Sequence, residues 1–336
     1  MSWFHLEFGD FAKSFLSVLF EGVPFLLLGA LISGFVDVHV STERVTRMLP
    51  KRPAAAIFVA ALLGLIFPIC ECGSVIIIRR FLKKGLPLSV ATSYMLAAPI
   101  VSPIVAYSTW VAFSGQQAGV MVASRLGFGF LVAVSMALVI HNLPQDRIAH
   151  TAAPKRRTGL NITGAPDDEP ADFASMAAKA SPMRKILLSV QSATADFLDV
   201  AFVFVVGVAI TSVFSAGVNR EVLNPLAESP ATSIVSLMIV AALLALCSTT
   251  DAFVAATQFT QFSASAKLAF LLFGPVFDLK LFWLYGLVFK RKFVAILGLA
   301  LFVLIAIICI LWGSLDVATK KPATGSIICH PPTSVV

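Results

Sequence analysis

The stretch FPICECGSVIIIRR at residues 67–80 decides the fold, because it sets two thiols and a carboxylate directly after an apolar run. Proline removes a backbone hydrogen-bond donor, and glycine tolerates dihedral angles that other residues avoid. The run of proline, cysteines, glutamate and glycine is therefore a poor continuation of a membrane helix. We predict that residues 54–78 enter the membrane halfway, break at the cysteines and return as a second helix.

Composition places most of the chain in the membrane. Of the 336 residues, 58% are hydrophobic and 13% are charged, and the mean hydropathy is +0.91. These values predict an all-α polytopic membrane protein rather than a soluble domain. Because an acidic leader precedes the first apolar segment and no cleavage site follows it, we expect a retained helix there. The apolar segments are residues 14–36, 54–69, 86–113, 118–141, 193–217, 231–247, 266–289 and 293–313.

One long polar stretch divides the chain into two membrane halves. Residues 142–190 are rich in proline, glycine and charge, so we expect a cytoplasmic linker there. It would separate a first membrane repeat at 1–141 from a second at 191–315, and 316–336 would form a flexible tail. The formal charge of +7 comes from basic residues in short loops. That pattern orients membrane proteins and does not indicate a nucleic-acid partner.

The two halves resemble each other in sequence. Motifs of the first half recur about 176 residues later: GVPFLLLGALISG (22–34) as DVAFVFVVGVAITS (199–212), ICECGS (69–74) as ALCSTTD (245–251), and MLAAPIVSP (95–103) as LLFGPVFDL (271–279). If each half inserts one hairpin only halfway, its remaining segments make three full crossings. The halves then run in opposite directions, their basic loops become cytoplasmic, and the chain has the inverted repeats of a transporter. Eight ordinary spanning helices are the alternative.

A second half-inserted hairpin is predicted at residues 231–262, with its break at Cys-Ser-Thr-Thr-Asp. We expect Ser74 to cap the helix after the first break. Thr250 or Asp251 is expected to cap a helix at 252–262 after the second break. The two helix N-termini would point toward the membrane centre and favour an anion or a thiolate there. Because irregular backbone at this depth needs protein or water around it, we also expect a cavity between the tips.

Three thiols at these breaks are candidate ligands. Cys70, Cys72 and Cys247 could converge on one soft centre, such as trivalent arsenic, antimony or a d10 metal, where the backbone is extended. Packing as small hydrophobic residues is the alternative, and it suits Cys309 and Cys329 better. Five cysteines in an apolar chain predict reduced thiols rather than a disulfide framework.

Ionisable residues within apolar segments are the next candidates. Glu71, Asp251 and Asp278 lie where each ionised group costs about 2.5–3.5 kcal/mol, so we consider them proton-coupling groups. Lys280 is a candidate counter-ion for Asp251 or Glu71, and a purely structural ion pair is the alternative.

Prolines interrupt two of the long apolar segments. Pro99 with Pro103, and Gly274–Pro275, remove backbone hydrogen bonds and free carbonyls near mid-span. These positions are expected either to face a substrate or to serve packing alone.

The residues discussed so far resemble the ArsP/YraQ permease family of prokaryotic inner-membrane proteins. The resemblance covers residues 10–315 and is carried by CECGSVIIIRRFLKKGLPLSVATSYMLAAPIVSPIVAYST (70–109), CSTTDAFVAATQF (247–259) and LAFLLFGPVFDLK (268–280). It implies a multi-pass permease of the inner membrane, and the best-described members export trivalent organoarsenicals such as methylarsenite through thiol binding. It implies substrate contact by Cys70, Cys72 and the region of Cys247, with membrane-embedded roles for Asp251 and Asp278.

The chain departs from this family at two positions. Val75 replaces a proline of many members, and Ser102 replaces an asparagine that precedes a proline. Ser102 reproduces the hydrogen bonding of an amide only in part, so it is a candidate substrate contact that bears on substrate identity.

These observations predict a proton-coupled efflux permease for thiol-reactive solutes, which is not an enzyme and needs no cofactor. Its partners would be the small-molecule or metalloid substrate and the lipid bilayer, and a homo-oligomer is compatible with the sequence. One alternative is a transporter of a small sulfur-containing or other anion, recognised by helix N-termini and the hydroxyls of Ser74, Ser248, Thr249 and Thr250. Another is a membrane thiol oxidoreductase using Cys70 and Cys72, although their CxC spacing is not the usual CxxC. No GxxxxGK[ST] loop for direct ATP coupling is present.

Overall fold

The computed structural model describes residues 8–39, 50, 52–67, 69–144, 148, 182–217 and 229–319. Twelve α-helices lie within these ranges. The first six are α1 (Phe8–His39), α2 (Pro53–Ile66), α3 (Glu71–Lys83), α4 (Leu88–Ala97), α5 (Pro103–Ala112) and α6 (Ala118–His141). The last six are α7 (Pro182–Gly217), α8 (Pro230–Leu244), α9 (Thr250–Gln258), α10 (Ala264–Phe273), α11 (Leu279–Tyr285) and α12 (Arg291–Thr319).

The same order of helices occurs twice. Each half begins and ends with a long helix, and between these lie a helical hairpin (α2–α3 or α8–α9) and a broken helix (α4–α5 or α10–α11). By length and composition α1, α6, α7 and α12 can each cross a membrane. The described part of the chain is therefore all-helical, and its four long apolar helices agree with the predicted polytopic membrane protein. Whether the halves are inverted in a bilayer stays a prediction.

The hairpin helices are short. With 14 residues in α2 and 15 in α8, each is roughly 21–23 Å long, less than the ~30 Å of a hydrocarbon core. The first break is close to its predicted place, because α2 ends at Ile66 and α3 begins at Glu71. In the second hairpin, α9 occupies Thr250–Gln258 rather than the predicted 252–262.

Each broken helix contains a non-helical gap, whereas its prolines alone predict only a local loss of backbone hydrogen bonds. The segments at 86–113 and 266–289 each consist of two helices, separated at Ala98–Ser102 and at Gly274–Asp278. Gly64 of α2 fits into the first gap, since a Cβ there would lie 2.8 Å from the Ala98 Cα. α7 starts at Pro182, eleven residues before the predicted apolar segment, because its polar first turns continue the helix beyond the apolar run.

The long helices α1 and α7 pack along each other and join the two halves. Gly34 of α1 lies against the backbone of α7, where an added Cβ would meet the Ser189 carbonyl oxygen and lie 2.8 Å from the Ala193 nitrogen. Gly29 precedes Gly34 on α1 by more than one helical turn and contacts α3. An added Cβ at Gly29 would lie 2.8 Å from the Gly73 Cα. Small residues permit such close approach between membrane helices.

Each hairpin also contacts the broken helix of the other half. Helix α3 of the first hairpin packs on α11, and α9 of the second packs on α5. This exchange brings the tip of each hairpin to the interface between the halves.

Polar contacts fix the far end of α3 to α7. The Arg80 Nε lies 2.7 Å from an Asp196 carboxylate oxygen, and Arg80 also donates a hydrogen bond to the Ser192 hydroxyl. The Ser33 hydroxyl of α1 donates to the same carboxylate at 2.8 Å. The sequence identifies Arg80 only as a loop charge, because its partner lies 116 residues away.

Several sequence predictions lie outside the described residues. These are Pro68, the basic residues Arg44, Arg47 and Lys51, Cys329, most of the linker at 142–190, and the tail beyond Thr319.

Candidate functional site

The first hairpin tip is organised around Cys70. This residue is the N-cap of α3, with extended backbone (φ −62°, ψ 163°), and its sulfur accepts a hydrogen bond from the Gly73 N–H at 3.3 Å. The prediction that Ser74 caps this helix is wrong, because Ser74 lies inside the first turn and its hydroxyl donates to the Glu71 carbonyl at 2.8 Å. Glu71 and Cys72 therefore lie in the first turn of α3 and are buried.

The second tip follows α8. That helix ends at Ala245 in the left-handed conformation (φ 45°), and Cys247 accepts the Asp251 N–H through its carbonyl at 2.9 Å. The predicted capping by Thr250 or Asp251 is wrong, since Thr249 occupies the N-cap position without a side-chain cap. The Thr250 hydroxyl instead donates to a Glu21 carboxylate oxygen of α1 at 2.6 Å.

The two tips meet. The Cys247 sulfur lies 3.9 Å from the Glu71 Oε2, although 176 residues separate them in sequence. Both border a cavity of about 10 Å3, enough for roughly one water molecule. Besides these two residues, its polar and thiol lining consists of Glu21, Cys70, Cys72 and Lys280.

A buried lysine connects the tips to the broken helix of the second half. The Lys280 Nζ lies 3.1 Å from a Glu71 oxygen and 3.1 Å from an Asp278 oxygen, and it donates to the Ala245 carbonyl at 2.8 Å. Asp278 is also the N-cap of α11 and accepts the Leu281 N–H. Of the two predicted counter-ions of Lys280, the structure therefore has Glu71 and not Asp251, and it adds Asp278.

Asp251 belongs to a second charged cluster. It is buried near Arg125, whose guanidinium donates to the Thr109 hydroxyl and to the Ser248 carbonyl, both at 2.8 Å. The Asp251 Oδ2 has no hydrogen-bond partner among the described residues, and it lies against Gly274, where an added Cβ would be 3.0 Å away. A larger residue at Gly274 would thus press on this carboxylate.

The predicted contacts on the broken helices lie outside the cavity lining. Pro99 and Ser102 lie in the gap between α4 and α5, and Ser102 occupies the α5 N-cap position without a side-chain cap hydrogen bond. Pro275 lies in the gap before α11, where the freed Val276 carbonyl accepts the Tyr285 hydroxyl at 2.9 Å. One backbone carbonyl in the second gap therefore has a hydrogen-bond donor from α11.

The described cysteines are free thiols. Cys70 and Cys247 are half-buried, and Cys72 and Cys309 are buried. Cys309 lies in α12, away from the cavity lining. Among the described residues, no group of three or more His, Cys, Asp or Glu side chains is arranged to hold a metal ion. In this conformation the three predicted thiols share a cavity without forming such a group.

The sequence alone does not identify Glu21 as a cavity residue. Its contact with Thr250 spans 229 residues. The one signal in the sequence is the position of Glu21 in the repeat, which corresponds roughly to that of Asp199. Asp199 itself lies 3.8 Å from Arg79.

Comparison with known proteins identifies the family. The chain matches ArsP_1, described as a predicted permease, over residues 7–314. It is 31% identical over 280 residues to the "Putative two-component membrane permease complex subunit" of Streptococcus mutans, covering 83% of this chain and 87% of that protein. It is 31% identical over 283 residues to the "UPF0718 protein YcgR" of Bacillus subtilis, covering 84% and 90%. No solved structure matches the chain significantly. The chain belongs to the ArsP_1 family of predicted permeases.

Proposed function

We propose that this permease exports trivalent organoarsenicals or similar thiol-reactive solutes through the site where the hairpin tips meet. The observation that supports this most is the position of Cys70, Cys72 and Cys247 around one cavity between the two halves. Soft thiol ligands select soft centres such as trivalent arsenic. A pathway that binds its solute through oxygen ligands would not require three sulfur atoms at one point.

The binding step is an exchange of arsenic–oxygen bonds for arsenic–sulfur bonds. Methylarsenite carries two hydroxyl groups on arsenic, and each reacts with one thiol to form an arsenic–sulfur bond and release one water. The two thiol protons leave in the two waters, so no oxidant or reductant is required. Cys70 and Cys247 are the favoured pair, because they lie on opposite tips and are less buried than Cys72.

Release requires the tips to separate. A cavity of about 10 Å3 has no room for a methylated arsenic, so the described conformation is closed around the site. We propose that the halves form inverted repeats in the inner membrane and rock about the hairpins, opening the site to each side in turn. The linker at 142–190 would be cytoplasmic in this arrangement.

Asp251 is the proposed proton carrier. Its buried Oδ2 lacks a hydrogen-bond partner among the described residues, so protonation there would remove a buried charge that is only partly satisfied. Glu71 and Asp278 already share the Lys280 ammonium, which compensates their charge. We therefore assign Glu71, Asp278 and Lys280 to the contact that links the two tips. Asp251 takes the transported proton.

An anion is a less suitable cargo for this site. Glu21 and Glu71 both border the cavity, against the single ammonium of Lys280. This excess of carboxylate would repel a small anion.

The name of the Streptococcus mutans relative describes a subunit of a two-component complex, and we extend that to propose a second membrane subunit for this chain.

Replacing Cys70 or Cys247 by serine is expected to abolish resistance to methylarsenite in a host that lacks other arsenic exporters. Serine offers a hard oxygen in place of a soft sulfur. Loss of even an outer-shell partner typically weakens metal binding about 10–100-fold, so loss of a direct ligand should do at least as much. The measurement is growth inhibition by methylarsenite, with the protein level followed by immunoblot.

Cys309→Ser is the matched control for these variants. Cys309 is buried in α12, and a serine there can bond to a backbone carbonyl one turn earlier. Serine is also a good N-cap, so Cys70→Ser should fold. Full resistance in both Cys70→Ser and Cys247→Ser would remove thiol coordination from the proposal.

Asp251→Asn is expected to uncouple transport from the proton gradient while keeping the shape of the side chain. In everted vesicles, stimulation of arsenical uptake by an imposed pH gradient should vanish, whereas exchange without a gradient should continue. Asp199→Asn is the control. Asp199 is partly exposed, and its ion pair with Arg79 is long, with 3.8 Å between the Asp199 Oδ2 and the Arg79 Nη1. Unchanged gradient stimulation in Asp251→Asn would assign the proton to another group.

A further inference from the structure

A second cavity lies between α7 and α11, away from the hairpin tips. Its volume is about 240 Å3, and the residues that matter most in its lining are Phe202, Val206, Trp283, Gly286, Leu287 and Arg291. None of these residues takes part in the proposed transport site. The cavity therefore calls for a separate explanation.

Its polar groups are unusual for an apolar groove. The Trp283 Nε1 is buried and has no hydrogen-bond partner among the described residues. The Arg291 guanidinium carbon lies 5.3 Å from the centre of the Trp283 ring. Buried donors in proteins normally have an acceptor, and a guanidinium stacked on an aromatic ring still presents its planar N–H groups. The groove thus combines one buried N–H without a partner among the described residues and the guanidinium beside it.

The remaining lining faces outward and is apolar. Phe202 is 65% exposed and Val206 38% exposed, on a helix that is long and apolar enough to cross a membrane. A volume of about 240 Å3 is smaller than the roughly 300–1,000 Å3 of pockets that enclose a whole ligand. The occupant should therefore be a molecule that lies only partly in the groove and otherwise in the bilayer.

We propose that this groove binds one anionic phospholipid. The phosphate pairs with Arg291, an ester carbonyl accepts the Trp283 Nε1–H, and an acyl chain lies along Phe202 and Val206. Arg291, in the groove lining, supplies the charge complementary to the phosphate. This site is independent of the proposed arsenical transport.

Native mass spectrometry of the full-length, delipidated protein in detergent tests the site. Phosphatidylglycerol is expected to bind at least about tenfold more tightly than phosphatidylcholine with the same chains, the scale of one hydrogen bond to a charged group. Arg291→Gln should remove that preference. Val206→Trp, which fills the groove, should weaken both lipids. Trp283→Phe, which keeps an aromatic ring but removes the Nε1–H, should also weaken both lipids, because both carry ester carbonyls.

Lys292→Gln is the matched control, because it removes the same charge from an exposed neighbour outside the cavity lining. It should retain the lipid preference. Equal losses in Arg291→Gln and Lys292→Gln would mean general surface attraction and would overturn the proposal. Equal binding of the two lipids, or displacement of the lipid by excess inorganic phosphate, would overturn it as well.

Discussion

Lys280→Met is expected to destabilise the protein by about 3–5 kcal/mol, the usual cost of removing one partner from a buried ion pair. The Lys280 ammonium satisfies Glu71, Asp278 and the Ala245 carbonyl together, and its side chain is only 3% exposed. Methionine fills a similar volume but leaves both carboxylates without their cation. Unfolding in detergent, followed by intrinsic fluorescence against denaturant, measures the loss.

Two further variants make this test specific. Lys292→Met removes an exposed lysine and should change stability by less than about 0.5 kcal/mol. Adding Glu71→Gln to Lys280→Met removes one stranded carboxylate, so it should recover more than about 1 kcal/mol through the coupling of groups in contact. If Lys280→Met and Lys292→Met unfold at the same denaturant concentration, the buried network does not stabilise the fold.

Gly34→Leu is the second change with a large expected effect. An added side chain at Gly34 meets the backbone of Ser189 and Ala193, which cannot move away as a flexible side chain would. α1 must therefore shift from α7, at a cost of at least about 3 kcal/mol, the upper end of typical overpacking penalties. The thermal unfolding midpoint in detergent should fall accordingly.

Gly127→Leu is the control for helix propensity. Gly127 lies in α6 with no atom within 4 Å of an added Cβ. Leucine there should be neutral or stabilise by up to about 1 kcal/mol, because glycine is a poor helix former. Equal midpoints for the two leucine variants would show that the α1–α7 contact at Gly34 does not limit stability.

The sequence predicts the breaks in this fold because the residues at them act locally. Proline and glycine at Gly274–Pro275 interrupt a regular helix, whereas Asp278, considered from sequence only as a proton-coupling group, is the N-cap of the helix that follows. The first break is predicted for the same reason. Its cap is assigned to Ser74 rather than Cys70, because serine is a common N-cap and a thiol is not.

The partners across the halves could not be predicted, because they depend on packing between distant segments. Thr250 looks like a cap in sequence, but its hydroxyl is taken by Glu21, 229 residues away. Arg125 could be recognised as a buried cation, yet its hydrogen bond to the Ser248 carbonyl depends on how α6 meets the second tip. Likewise, Lys280 pairs with Glu71 of the other half and not with Asp251, because α3 and the α11 segment meet there.

The sulfur of Cys70 has two possible uses that exclude each other in part. It accepts the Gly73 N–H at the start of α3, and a sulfur bonded to arsenic is a poorer acceptor for that hydrogen bond. Cargo that attaches to this thiol would thereby release the first turn of α3, with a loss on the scale of about 0.5–2 kcal/mol for a missing cap. Bound cargo would thereby loosen the helix that must shift for the tips to separate, so occupancy itself would favour release.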